Sequence, residues 1–365
     1  MKIECVKEKV QEALGKVERL TGKNLSLPIL SCVLLSAKKG TLVIRATNLE
    51  MGVEYRIPAR VEQEGSVAIT AGILSSFLGN LGSVKSIVIE TDKTQLHITT
   101  LKINTSFKII SGDDFPTIPT TEGKEVSLPA KDFTFGLKSV SFSSSSGNLK
   151  AELGSVYIYT KEHSLIFAAT DSFRLAEKKI PLRKPLELPP LLIPLKNVNE
   201  CIRLLEGDGG EITLIAEKNQ VSLKGNDFYA TSRLISGAFP DYTQIIPKES
   251  TTEAIILKED LQNALKLSTL FSDTFSQIHL SVKPATKTFE ISAQNSAVGK
   301  SLSRIDAAIS GEEVEANFNH RYISDSLQSI TSDSLGFYLN GPGKPLVIKG
   351  VGDKSFTYLV MPMNR

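Results

Sequence analysis

Catalysis needs convergent nucleophiles, acid–base pairs, metal ligands or a phosphate cradle, and several stretches of this sequence hold the right residue types. Gly341-Pro342-Gly343-Lys344 has the glycines and lysine of a phosphate loop. It lacks the GxxxxGK[ST] spacing and sits between two β-rich runs, so it predicts a hairpin turn. Asp113-Asp114 has the charge for a divalent metal, yet it lies just before Phe115-Pro116 at a domain end, where a solvated loop is expected. Gly207-Asp208-Gly209-Gly210 follows a helical pattern and fits a C-terminal cap and turn. Cys5, Cys32 and Cys201 are odd in number and widely spaced, which predicts no disulfide framework, and no CxxC or Cys/His spacing announces a zinc site. The residues therefore predict a non-enzyme without metal or cofactor.

The elements that position these residues repeat. Helical segments open at Ala71, Leu195 and Asn319, spaced by 124 residues each time. Each is followed by two β-rich runs around turn residues: SIVIETDKTQLHITT, EITLIAEKNQVSLKG and LGFYLNGPGKPLVIKG. Ile110-Ser111-Gly112 and Phe115-Pro116 recur as Ile235-Ser236-Gly237 and Phe239-Pro240, and Ala46-Thr47 recurs as Ala169-Thr170. A further helix opens each copy, over 7–20, about 131–142 and 258–271; in the first, Val6, Val10, Ala13, Leu14 and Val17 make one apolar stripe. The prediction is an α+β fold of three tandem similar domains, helices on antiparallel sheets, over 1–121, 125–247 and 252–365. One large β-rich domain with accidental spacing is the alternative.

Charge and hydropathy bound the partners. There are 42 Lys+Arg against 40 Asp+Glu, a net charge of +2, so contact with nucleic acid would be loose or confined to one face. The N-terminus MKIECVKEKVQEALGK has no apolar signal core, and the longest apolar run, Leu25 to Leu35, is broken by Pro28. A reducing, cytoplasmic setting without membrane partners is expected. Lys9 and Lys16, Lys131 and Lys138, and Lys196 and Arg203 are pairs seven apart, each on one helix face. A mixed, solvated face accounts for them as well as a polyanion surface does, since Glu12 and Glu200 lie nearby.

Leu27-Pro28-Ile29-Leu30, Ala46-Thr47-Asn48-Leu49-Glu50-Met51, Thr170-Asp171-Ser172-Phe173-Arg174-Leu175-Ala176, Gly237-Ala238-Phe239-Pro240-Asp241-Tyr242 and Val360-Met361-Pro362-Met363 together resemble the bacterial DNA sliding clamps, the beta subunits of replicative DNA polymerase, from end to end. The resemblance implies a head-to-tail homodimer closing into a ring around double-stranded DNA, gripping it without sequence specificity. It implies that the basic helix faces, with Lys23 and Lys150, touch DNA. It also implies an apolar cleft for short peptides of polymerase subunits and the clamp loader. The matching positions are Leu153, Thr170, Ser172, Phe173, Arg174 and Leu175, then Pro240, Ile245 and Pro345, and at the end Val360, Met361, Pro362 and Met363. Taken alone, the terminal segment reads as a last core strand. Ser172-Phe173 departs from the family's common Gly-His, and Lys150-Ala151-Glu152 stands where tyrosines are frequent.

The dimer joint implied by the resemblance sets Thr99–Ile110, with Phe107 and Ile109, against Leu270, Phe271 and Ser296–Arg304 of a second chain. Here Lys102 and Lys108 would face Lys300 and Arg304, where many relatives have an acidic side. Two rivals to the clamp remain at this stage: a nuclease, which needs clustered carboxylates, and a repeat scaffold that never meets DNA.

Overall fold

The computed structural model describes residues 1–22, 27–147, 150–182 and 187–363. Lys23 lies outside the described residues. Each copy runs strand, helix, four strands, helix, three strands, except that one strand of the third copy is split. The first copy comprises β1 (Lys2–Val6), α1 (Lys7–Val17), β2 (Cys32–Lys38), β3 (Thr41–Thr47), β4 (Met51–Gln63), β5 (Gly65–Thr70), α2 (Ala71–Asn80), β6 (Ser86–Thr91), β7 (Gln95–Thr99) and β8 (Asn104–Lys108). The second has β9 (Lys124–Pro129), α3 (Ala130–Ser141), β10 (Ser155–Lys161), β11 (Ser164–Thr170), β12 (Arg174–Pro181), β13 (Leu191–Pro194), α4 (Leu195–Leu205), β14 (Glu211–Ala216), β15 (Gln220–Lys224) and β16 (Phe228–Arg233). The third has β17 (Thr252–Leu257), α5 (Lys258–Thr269), β18 (Gln277–Lys283), β19 (Thr288–Asn295), β20 (Gly299–Ile305), β21 (Ala307–Gly311), β22 (Val314–Asn319), α6 (His320–Ser326), β23 (Ser334–Leu339), β24 (Leu346–Gly350) and β25 (Phe356–Val360).

Helices form where apolar residues recur at helical spacing. In α1, Val10, Ala13, Leu14 and Val17 are buried; Val6, expected in that stripe, is the exposed residue preceding the helix. The α-helix ends at Val17 and residues 18–20 tighten into a 3-10 turn. Asn319 caps α6, its side chain accepting from the Arg321 N–H, so the helix proper begins at His320. Strands alternate buried and exposed residues, as in β7 and β22.

All strand pairs are antiparallel and repeat in register: β3 faces β4 as β11 faces β12 and β19 faces β20. The repeats are nevertheless not the compact units. One unit gathers Met1–Thr134 and Lys196–Leu234, the other Phe135–Leu195 and Ile235–Arg365, so the middle copy is divided. The cause is strand pairing across copies. β16 pairs with β4 inside the first unit, and β25 pairs with β12 inside the second. β4 runs unbroken and serves β3, β16 and β1, whereas its counterpart in the third copy is split at Asp306 into β20, paired with β19, and β21, paired with β17.

Candidate functional site

The tight turn before β12 is built by local polar chemistry. Asp171 Oδ1 accepts from the Phe173 and Arg174 N–H groups at 2.9 and 3.0 Å, and Thr170 Oγ1 donates to the Arg174 carbonyl at 2.7 Å. The first copy repeats the same bonds around Asn48 and Thr47, and Asn295 is the third equivalent, accepting from Ala297 N–H at 3.0 Å. This geometry puts the third residue of the turn in left-handed backbone: φ is +72° at Leu49 and +78° at Ser172. A side chain is strained there by about 1–2 kcal/mol, part of which glycine returns through its greater unfolded-state entropy. Ser172→Gly is expected to stabilise the protein by roughly 0.5–1 kcal/mol. A denaturation midpoint that does not rise at constant slope would show that the turn is unstrained.

That turn presents Phe173, which is 61% exposed. The Phe173 carbonyl accepts from Met361 N–H at 2.8 Å, continuing the β12–β25 ladder in which Arg174 faces Val360. Beyond it, Met363 N–H donates to the Asn317 carbonyl at 2.8 Å. Thr170 to Leu175 and Val360 to Met363 are thus one neighbourhood. Val360 and Leu175 form its buried floor, while Met361 and Phe173 stay accessible. Arg174 is a strut: its guanidinium donates to Asp171 at 2.9 Å and Asp325 at 2.7 Å and lies 4.5 Å over the Tyr322 ring. Burial opposes its charge, but the Asp325 bond and Asp171 hold its pKa above the ordinary value.

Under this neighbourhood the second unit carries an apolar cluster of Ala168, Leu175, Tyr242, Val347 and Leu359. Tyr157 stacks on Tyr159 at 4.9 Å and on Phe239 at 4.8 Å. Tyr242 donates to Glu177 at 2.6 Å and is paired with the Tyr159 hydroxyl at 2.9 Å. These aromatics escaped the sequence reading, although the alternation Tyr157-Ile158-Tyr159 signalled a strand with one aromatic face. Pro240 and Ile245 lie exposed on the segment whose Phe239, Tyr242 and Ile246 pack on the cluster. Leu153 is buried in the turn before β10, and Pro345 is half-buried at the start of β24.

The basic residues divide. Lys9, Lys131, Lys138, Lys150 and Lys196 are exposed. Lys16 and Arg203 depart from the expectation of a free basic face. Lys16 bonds Tyr55 Oη at 3.4 Å and lies 3.8 Å from Glu12. The Arg203 guanidinium is held by Glu200 and the Lys16 carbonyl, with its Nε and Nη1 buried and unpaired. Burial lowers its pKa, against Glu200. The reason is local: Glu200 stands three residues before Arg203 on α4, within ion-pair reach.

On and beside β8, Phe107 is buried edge-on against Phe77 at 5.1 Å, and Ile109 is half-buried. Leu270 is 66% exposed, and the Phe271 ring lies 3.7 Å from where a Cβ on Gly299 would be. β8 pairs only with β7, and β20 only with β19, among the described residues.

The chemically suggestive loops are structural. Gly341 takes φ +104° in the β23–β24 turn, and Asp208 N–H caps Leu205 at the end of α4. All three cysteines are buried, with the Cys5 and Cys201 thiols pushed up to about 12 by burial. Among the described residues no group of three or more His, Cys, Asp or Glu is placed to hold a metal. No helix among them is long and apolar enough to cross a membrane.

Three α+β copies, joined by strand pairing, define the DNA clamp fold. The family models for the N-terminal, central and C-terminal domains of the DNA polymerase III beta subunit match residues 1–119, 127–241 and 243–364. The chain belongs to the DNA polymerase III beta subunit family. It is 28% identical over 371 residues to the beta sliding clamp of Synechococcus elongatus, covering 100% of this chain and 99% of that protein. It is 26% identical over 369 residues to that of Escherichia coli K12, covering 100% of both. Its fold superposes on the Bacillus subtilis DNA polymerase sliding clamp with a TM-score of 0.95 at 24% identity, covering 100% of this chain and 99% of that one. The Pseudomonas aeruginosa beta subunit solved with griselimycin gives 0.95 at 22%, covering 100% of both.

Proposed function

We propose that this chain is a DNA sliding clamp: a non-catalytic, cytoplasmic processivity subunit that dimerises head to tail around duplex DNA and tethers polymerases and the clamp loader through the cleft at Phe173 and Met361. The observation that carries the dimer is the joint used twice within the chain. The last strand of one copy adds to the fourth strand of the copy before it, β16 on β4 and β25 on β12. This leaves β8 as an unused last strand and β20 as an unused acceptor, and an unpaired edge is a template for another chain. A second copy uses both.

A ring holds DNA by topology, so weak, sequence-blind phosphate contact suffices and a near-neutral chain serves. The exposed Lys131 and Lys196 are the better candidates for that contact; Lys16 and Arg203 hold the first unit together. Neutralising Lys131 and Lys196 is expected to reduce the salt slope of DNA binding by about 2. Arg203→Ala should instead cost about 1–2 kcal/mol of stability by leaving Glu200 unpaired. The deciding experiment loads the protein onto nicked circular DNA with a clamp loader and ATP, then linearises the DNA. Loss from linear but not circular DNA is expected; equal retention would rule out a topological clamp.

A further inference from the structure

In both joints inside the chain, one side chain of the acceptor strand turns toward the helix of its own copy and is flanked by a phenylalanine of the donor strand. In the first, that residue is Tyr55, which faces Phe228 across the joint; their rings stack at 6.3 Å, and Lys16 of α1 lies over Tyr55 at 5.5 Å. In the second it is Lys178, which faces Phe356 and lies 4.6 Å over the ring of Phe135 on α3. Each joint also closes with one more backbone bond of 2.7 Å, Arg56 N–H to the Asp227 carbonyl and Lys179 N–H to the Ser355 carbonyl. The helix-side space is filled both times.

The repeat fixes the third equivalent without ambiguity of register. Tyr55 faces Ile44, Lys178 faces Phe167 and Ser303 faces Ile291 on the neighbouring strand of the same sheet, so Ser303 occupies the Tyr55 and Lys178 position. On the donor side Phe107 faces Leu96 as Ser232 faces Val221 and Val360 faces Leu346, which places Ile103 where Phe228 and Phe356 stand. Serine is small, and beside it an open cavity of about 370 Å³ lies between Asn263 and Leu267 of α5 and Ser303 and Ile305 of β20, with the charged Asp260, Arg304 and Asp306 also lining it. Ile103 and Leu267 are both exposed apolar residues in the single chain.

We propose that this cavity is the socket for Ile103 of a second copy, in the register Phe107 to Gly299, Thr105 to Ser301 and Ile103 to Ser303, and that it is left underfilled. The proposal rests on the dimer reading above. It adds the pairing, the backbone bond from Arg304 N–H to the second copy's Lys102 carbonyl, and the expectation that the joint between chains packs less tightly than the two within. Where the internal joints have a ring or a lysine stem against a phenylalanine, this one has a serine against an isoleucine. Void space forfeits packing that a larger side chain recovers.

The test restores what the other two joints have. Ile103→Phe and Ser303→Tyr, each in the full-length chain, are expected to lower the dimer dissociation constant at least fivefold in sedimentation equilibrium. A Thr105→Cys, Ser301→Cys double variant is expected to oxidise to covalently linked dimers, and Thr105→Cys with Leu302→Cys to link far less. If the cysteines link in this register but both filling variants leave the constant unchanged or raise it, the underfilled socket is overturned and the dimer stands. If the dimer links through the Leu302 pair instead, the register is overturned. A chain that stays monomeric at every concentration and links through neither pair overturns the dimer reading and this proposal with it.

Discussion

Removing residues 361–365 is expected to weaken binding of a short peptide with hydrophobic and Gln anchors by about 10- to 100-fold, about 1.4–2.8 kcal/mol. The deletion takes away Met361, whose N–H anchors the tail to Phe173, and Met363, whose N–H anchors it to Asn317. It therefore strips one wall of the proposed cleft. Methionine suits such a wall because its unbranched thioether repacks around different partners. The fold should persist, since Val360, fully buried at the end of β25, is retained. Fluorescence anisotropy with a labelled peptide measures the loss, and a circular-dichroism melt checks the fold. Unchanged affinity in a folded variant would move the docking site elsewhere.

Phe271→Asp is expected to raise the dimer dissociation constant 100-fold or more, at least about 2.8 kcal/mol, by setting an unpaired carboxylate in the proposed apolar joint. Phe271 lies against Gly299, the residue that the register sets opposite Phe107. The same joint gathers Lys102 and Lys108 from one chain and Lys300 and Arg304 from the other. Among the described residues, Arg304 alone of these four is in an ion pair, with Glu290 at 2.6 Å on its own sheet. Like charges repel, and salt screens them. Wild-type dimer affinity should therefore be flat or should rise with salt. Sedimentation across a salt series checks both statements, and steep dissociation with added salt would mean that the joint is ionic.

The threefold repeat was legible because it is written in local signals. Helical spacing in α1, Phe-Pro after each of the first two copies, and turn residues between paired strands all depend on neighbours in sequence. The recurrence of Ala46-Thr47 as Ala169-Thr170 was legible for the same reason, and the turns that follow the two pairs are held by the same bonds. The division into units was not, because it depends on β16 and β25 finding partners far back in the chain. Spacing also placed Lys196 and Arg203 on one helix face, but spacing cannot tell an exposed lysine from an arginine turned back onto Glu200. The aromatic cluster joins Tyr157 and Tyr159 to Phe239 and Tyr242, two pairs too far apart in sequence to be associated before the sheet was known. Ser172-Phe173 was visible as a departure from the family, and its meaning, a strained turn that pushes a phenylalanine ring outward, came only with the backbone angle.

The break at Asp306 divides what the first unit keeps whole. In the first unit β4 ties its twelve strands into a single hydrogen-bonded sheet; in the second, β20 belongs to a sheet of four and β21 to a sheet of nine. In mechanical terms the first unit has a continuous beam and the second a jointed one. A pull on β4 is carried by one ladder from β16 through to β1. A pull on β20, the edge proposed for a second chain, is borne by three companion strands, and along the strand pairing it reaches β17 through the break at Asp306.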